Sequence, residues 1–158
     1  MEVPRFIADQ NVGKLARLLR MLGFDTLFFE GENDGDMVKL ALAERRVILT
    51  RDTHIMERKL VTSGRLIAIL LTSDRVQEQV CQVVVALRLK DSLRPFTLCL
   101  EDNCALEEKS VPEVKDRVPP YVFKTQRQYM ECPHCHRIYW RGTHWQAMQK
   151  RLEKLAGC

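Results

Sequence analysis

The chain predicts an α/β fold in which a parallel sheet is covered by helices on both faces. Three observations carry that expectation. Short apolar runs alternate with amphipathic segments along the first ninety or so residues. The runs at Val47–Leu49 and Leu66–Leu71 are apolar without alternation, as in strands buried on both faces. A carboxylate directly follows two of the strands, at Asp9 and at Asp52, in successive units of the alternation.

The elements follow in order. Arg5-Phe6-Ile7-Ala8 reads as a short strand closed by Asp9. A helix is expected over Asn11 to Leu22, with Leu15, Leu18, Leu19 and Leu22 on one face and Lys14, Arg17 and Arg20 on another. Gly23 stops it. The run from Phe24 to Glu30 is a second strand, and a helix from about Gly35 to Arg45 turns Val38, Ala41 and Leu42 inward. Arg46 to Asp52 is a buried strand, followed by a short helix around Thr53 to Thr62. Arg65 to Thr72 is a further apolar strand, and a helix from about Asp74 to Leu89 closes the domain.

A boundary is expected near Asp91 to Pro95, dividing a domain of residues 1–92 from a smaller part of residues 93–158. The smaller part holds two close cysteine pairs, the Pro119-Pro120 turn and a basic helix from roughly His144 to Leu155. Charge divides in the same way. Residues 115–158 carry nine Lys/Arg and three Asp/Glu, a net of +6, while residues 1–114 carry a net of −2. Such asymmetry suits a polyanion held by one part and cut by the other, or else a solvated basic helix face. No stretch approaches the ~20 apolar residues of a membrane span. The opening MEVPRFIADQ lacks the basic and apolar regions of a signal peptide. A cytoplasmic protein with no membrane partner is the expectation, and six cysteines there point to metal or buried thiols. Cys81 reads as a small core residue and Cys158 as an idle terminal thiol.

In a parallel sheet, ligands gather beyond the carboxyl ends of the strands. Asp9 and Asp52 both arrive there if their strands are neighbours, and Asp34 and Asp36 open the helix after the second strand. Carboxylates from separate strand ends make a hard-oxygen site suited to Mg²⁺ or Mn²⁺. Two such ions can activate water and stabilise the leaving oxygen of a phosphodiester displacement. Each acid also has a plainer explanation. Asp34 or Asp36 could cap its helix, Asp74 could cap the last one, and a single Asp after a strand is often turn chemistry. The basic residues Lys14, Arg17, Arg20 and Arg51 lie near the same edge and could meet phosphates.

The run from Asp9-Gln10-Asn11-Val12-Gly13-Lys14 through Leu22-Gly23-Phe24-Asp25-Thr26 resembles the opening of the Mut-7 C-terminal RNase domain family, a branch of the PIN-like nucleases. Arg46-Val47-Ile48-Leu49-Thr50-Arg51-Asp52 is similar to that family's second signature. The stretch from Cys132-Pro133-His134-Cys135 to Trp145 resembles its terminal ribbon. The resemblance implies a PIN-like three-layer α/β/α fold, metal-dependent RNA cleavage and an appended C-terminal zinc ribbon. Carried over by position, Asp9 matches the first acidic ligand, Asp34 the helix-borne acid and Asp52 the acid after Thr50 and Arg51. Asp36 remains an alternative to Asp34. Thr50 would orient a metal-bound water, and Asn11 would support Asp9.

Cys132-x2-Cys135 has the spacing by which one tight turn presents two thiolates to zinc. Cys99-x4-Cys104 is the expected second pair. The family pattern spaces that pair by two and would put a ligand at Asp102, where this chain departs from it. Cys104 is preferred as the softer donor, with Asp102 the alternative and His134 and His136 in reserve. A ribbon this small lacks the apolar mass to fold alone, so a structural zinc is the physical expectation. Tyr139, Trp140 and Trp145, interleaved with Arg137, Arg141 and His144, could stack on unpaired RNA bases or pack the ribbon on its neighbour.

The leading expectation is therefore a Mg/Mn-dependent ribonuclease with RNA as partner. The alternatives are a catalytically weak RNA-binding module using the ribbon and a protein-interaction or toxin-like partner. An intact trio of acids favours the enzyme.

Overall fold

The structure is a computed structural model that describes residues 2–155; Cys158 and the side chain of His144 lie outside the described residues. Four parallel strands form the main sheet: β1 (Arg5–Ala8), β2 (Thr26–Phe28), β3 (Arg46–Thr50) and β4 (Ala68–Leu70), in the order β2-β1-β3-β4. Ala8 lies in register with both Phe28 and Leu49, so the carboxyl ends of β1, β2 and β3 share one edge.

Successive side chains of a strand point to opposite faces, and the two faces hold two cores. On one face Phe6, Ala8, Val47 and Leu49 pack with Leu15, Leu19, Val80 and Val83. These helical residues belong to α1 (Gly13–Met21) and to the later helix Val76–Ala86. On the other face Ile7 and Ile48 meet Met37, Val38 and Ala41 of α2 (Asp34–Glu44) and Ile55 of α3 (Thr53–Met56). A four-residue helix, α4 (Lys59–Thr62), follows before β4, and α5 is the helix Val76–Ala86. The result is the expected helix–sheet–helix sandwich. Central β3 is buried at all five residues.

Three details differ from the sequence expectation. The apolar run Arg65–Thr72 supplies only three ladder residues, because β4 has a neighbour on one side alone and Ile67 is exposed. The single helix expected over Thr53–Thr62 breaks into α3 and α4, where Arg58 is extended. Leu42 faces solvent, and Met37 fills the inward position of α2.

The C-terminal part contains an antiparallel sheet of β5 (Glu107–Lys109), β6 (Tyr129–Glu131) and β7 (Ile138–Tyr139), in sequential order. Between β5 and β6 lies α6 (Pro120–Thr125), and α7 (Thr143–Leu155) ends the described chain. Val114, Val118 and Val122 pack on fully buried Tyr129, whose hydroxyl donates to the Val122 carbonyl at 3.0 Å.

This part docks on the amino-terminal edge of the main sheet. Gly23 ends α1 at φ +93°, where a Cβ would come within 2.1 Å of the Arg94 carbonyl oxygen. The Arg94 N–H donates to Leu22 O at 2.7 Å. Asn103 accepts from Thr26 N at 3.0 Å and donates to Asp25 at 2.6 Å, while Arg46 donates to the same Asp25 oxygen at 2.8 Å. No helix among the described residues is long and apolar enough to cross a membrane.

Candidate active site and metal centre

Asp9 leaves β1 directly and is 8% exposed. Its Oδ1 accepts from Gln10 N at 2.8 Å, capping a single 3-10 turn, and its Oδ2 accepts from the Thr50 hydroxyl at 2.8 Å. Thr50 ends β3, is fully buried, and its hydroxyl oxygen also accepts from Asp52 N at 3.0 Å. One hydroxyl therefore ties the Asp9 carboxylate to the Asp52 backbone across the β1–β3 pair. Asp52 caps α3, its Oδ1 accepting from His54 N at 2.9 Å, so part of its role is turn chemistry.

The second loop reaches the same edge. Gln10 donates to Gly31 O at 2.6 Å, and Phe29 N donates to Ala8 O at 2.9 Å. Asn33, not Asp34 or Asp36, caps α2, accepting from Gly35 N at 2.7 Å. Both aspartates sit in its first turn, Asp34 partly buried and Asp36 exposed. The capping explanation is thereby removed for both. Ser73 accepts from Arg75 N at 3.0 Å at the start of α5, leaving Asp74 exposed and away from the cap. Asn11 is exposed, and no hydrogen bond joins it to Asp9.

The basic residues separate. Lys14 and Arg51 are exposed near the acids. Arg17 pairs with Glu101 of the C-terminal part. Arg20 is buried. Its Nε donates to Thr26 O at 2.8 Å and its Nη1 to Leu100 O at 2.8 Å and Glu101 O at 3.1 Å. This corrects the expectation of a phosphate contact: a buried guanidinium committed to three carbonyls joins the two parts of the chain. A Lys/Arg stripe in sequence does not reveal that.

Among the described residues, the ligand atoms gathered closely enough to hold a metal are those of Cys99, Asp102, Cys132 and Cys135, all within 4.8 Å of one another. The acids at the sheet edge are not drawn together so tightly. The four ligand residues come from two matching turns. Asp102 N lies 3.4 Å from Cys99 Sγ, and Cys135 N lies 3.5 Å from Cys132 Sγ. Asn103 N donates to Cys99 O at 3.0 Å, and His136 N to Cys132 O at 2.8 Å. Asn103 and His136 both adopt left-handed backbone, at φ +61° and +62°. Cys99 N then donates to Cys104 O, as Cys132 N does to Arg137 O.

Asp102 is thus the counterpart of Cys135, and Cys104 the counterpart of Arg137. The preference for Cys104 is corrected on that ground. Its backbone closes the turn, and its thiol, beside Cys132 and 3.7 Å from the Asp102 carbonyl, is not one of the four ligand atoms that lie within 4.8 Å of one another. His134 Nδ1 lies 3.2 Å from Asp102 Oδ2 and orients the carboxylate. His136 serves the turn through its backbone. The sign that could have been read in sequence is the equal offset of Asn103 and His136 from Cys99 and Cys132.

Burial pushes the Cys99 thiol up, but the Tyr139 hydroxyl at 3.1 Å and the amides of Asp102 and Glu101 outweigh it and hold Cys99 below the ordinary range. Cys135 is pushed up to about 12: the Arg137 amide favours its thiolate, and Asp102, lost water and the Cys132 and Cys99 sulfurs prevail against it. Three sulfurs and a carboxylate oxygen in one small volume form the donor set of a tetrahedral, soft-leaning divalent ion.

A family model described as the Mut7-C RNAse domain matches residues 4–152, nearly the whole chain. The chain belongs to the Mut7-C RNase domain family. Membership implies a nuclease-type function with RNA as the substrate class. No curated protein and no solved structure matches this Mut7-C chain.

Proposed function

We propose that this Mut7-C chain is a divalent-metal-dependent, PIN-like ribonuclease that hydrolyses RNA phosphodiester bonds at the carboxyl edge of the parallel sheet. The observation that carries the reading is the Asp9–Thr50–Asp52 arrangement, in which a buried hydroxyl donates to one acid and accepts from the amide of the next. Asp9, Asp52 and Asp34 are the ligand set, with Asp36 on the same helical turn as the reserve. Mg²⁺ or Mn²⁺ bound there would lower the pKa of water and stabilise the leaving oxygen. Thr50 keeps Oδ2 of Asp9 directed along one line and leaves its second lone pair available. Lys14 and Arg51 place positive charge beside the incoming phosphate. Asp34, relieved of capping by Asn33, is able to swing toward substrate and metal.

The ribbon holds zinc through Cys99, Asp102, Cys132 and Cys135 as a structural staple. The fit rests on the donor chemistry and the matching turns, and His134 fixes the Asp102 carboxylate as an outer partner does for a metal ligand. A test of the function is cleavage of single-stranded and structured RNAs with Mg²⁺ or Mn²⁺, beside an Asp52→Asn variant. Metal-dependent products that fall at least ten-fold in the variant support the reading. Equal cleavage by both proteins rejects it.

A further inference from the structure

A cavity of about 600 Å³ lies between the C-terminal part and the end of α1, within the range of small-ligand sites. Met21, Phe96, Leu100, Tyr139 and Trp145 give it mainly apolar and aromatic walls, and Arg137 stands at its lining as an exposed cation. The Phe96 and Trp145 rings are 5.6 Å apart, with the Arg141 guanidinium 5.2 Å and 5.9 Å from their centres. The Trp145 indole N–H is buried without a hydrogen-bond partner, and such an orphan is relieved if a bound acceptor draws the ring toward it. The cavity shares Tyr139 with the metal centre, where its hydroxyl meets Cys99 Sγ at 3.1 Å, and none of the four metal-ligating residues or the sheet-edge acids lines it.

Its position relative to the acids decides the occupant. Lys14, Arg17 and Met21 have the i, i+3, i+7 spacing of one helical face. That face starts at the acid edge beside Asp9 and ends at Met21 in the cavity wall, a rise of about 10 Å. Arg137 lies close enough to Glu101, the partner of Arg17, to favour its charged form. Lys14, Arg17 and Arg137 thus supply cations between the acids and the cavity, with Glu101 paired to Arg17. A planar, partly polar group carried on a polyanion fits the aromatic walls and this charge together; an apolar peptide would leave the cations unanswered.

We propose that the cavity receives one unstacked base of the RNA, so that the strand's phosphates run along the Lys14–Arg17–Met21 face toward Asp9 and Asp52. This rests on the ribonuclease reading for the direction of the strand, but base capture is measured without cleavage. The probe is a fluorescein-labelled octameric RNA strand lacking all bases, compared with the same strand bearing a single adenine. Binding is followed by anisotropy with the zinc-loaded full chain and no added Mg²⁺ or Mn²⁺. One adenine should tighten binding by about ten-fold, in the range of base–aromatic stacking. Leu106→Trp, which fills the cavity, should remove that gain while leaving affinity for the base-free strand unchanged.

A gain below two-fold overturns the proposal, as does a gain that survives in Leu106→Trp with its fold confirmed by circular dichroism. A large gain from a second and a third adenine would also overturn it, since one cavity holds one base. Cleavage is assayed separately with Mg²⁺ or Mn²⁺. Capture without cleavage sinks the nuclease and spares the cavity, and cleavage without capture does the reverse.

Discussion

Replacing Arg20 should loosen the joint between the two parts of the chain. The side chain is buried and makes three charge-assisted bonds, to Thr26 O and to the carbonyls of Leu100 and Glu101. Arg20→Met keeps the aliphatic stem and removes all three. Bonds from charged donors contribute roughly 1.5–3 kcal/mol each, and the variant escapes the cost of burying a guanidinium, so a net loss of about 2–4 kcal/mol is expected. For a chain of this size that corresponds to a fall in Tm of about 5–15 °C. Thermal unfolding by far-UV circular dichroism, on protein with zinc bound, measures it. RNA affinity of the folded variant, and its slope with salt, should be unchanged, because a buried cation releases no counterions on binding. A Tm within about 2 °C of the parent, with a shallower salt slope, would refute the clamp and restore Arg20 as a phosphate contact.

Thr50→Val removes the hydroxyl that donates to Asp9 and accepts from Asp52 N, while keeping the buried shape. It should lower stability by about 1–3 kcal/mol and cleavage at least ten-fold, read by urea unfolding and by initial rates. Asp102→Asn should weaken zinc retention at least ten-fold in a chelator competition, whereas Cys104→Ser should leave it near the parent value. The reverse order would return Cys104 to the ligand set. Asp25 is partly buried, which raises its pKa, but hydrogen bonds from Arg46 and Asn103 and the charge of Arg46 hold it below the ordinary carboxylate range. Its folded-state pKa is depressed, so its contribution is complete above the unfolded value of about 3.9 and fades as pH falls below that. Asp25→Asn should flatten the acid limb of stability below about pH 4, seen as smaller Tm differences between pH 5 and pH 3.

The sandwich was legible because its signals are local and agree with one another. Unbroken apolar runs marked β1 and β3, Gly23 marked the end of α1, and Asp9 and Asp52 each follow a strand, so they share an edge once β1 and β3 pair in parallel. Edge effects were not legible. The run Arg65–Thr72 is as apolar as β3, yet β4 has only one neighbour and pairs through three residues. Nor was the seam. Arg20 looks like one member of a basic stripe until the Leu100 and Glu101 carbonyls, eighty residues onward, occupy its donors. Softness favoured Cys104 over Asp102, but the backbone turn decides which side chain faces the other thiols, and turn geometry follows from where left-handed Asn103 sits. In the same way Asn33, a residue without charge, took the cap that had been an explanation for Asp34 and Asp36.

The most direct measurement is the rate at which zinc-loaded Asp9→Asn cleaves a single-stranded RNA with saturating Mn²⁺, with unfolding curves recorded on the same preparation. The near-isosteric amide keeps one oxygen to accept from Gln10 N and turns its NH2 to donate to the rotatable Thr50 hydroxyl, but it cannot match a carboxylate as a hard ligand. A rate at least a hundred-fold below the parent is expected, with Tm changed by no more than about 5 °C. A parental rate from the folded variant would contradict that expectation and move the chemistry away from this edge of the sheet.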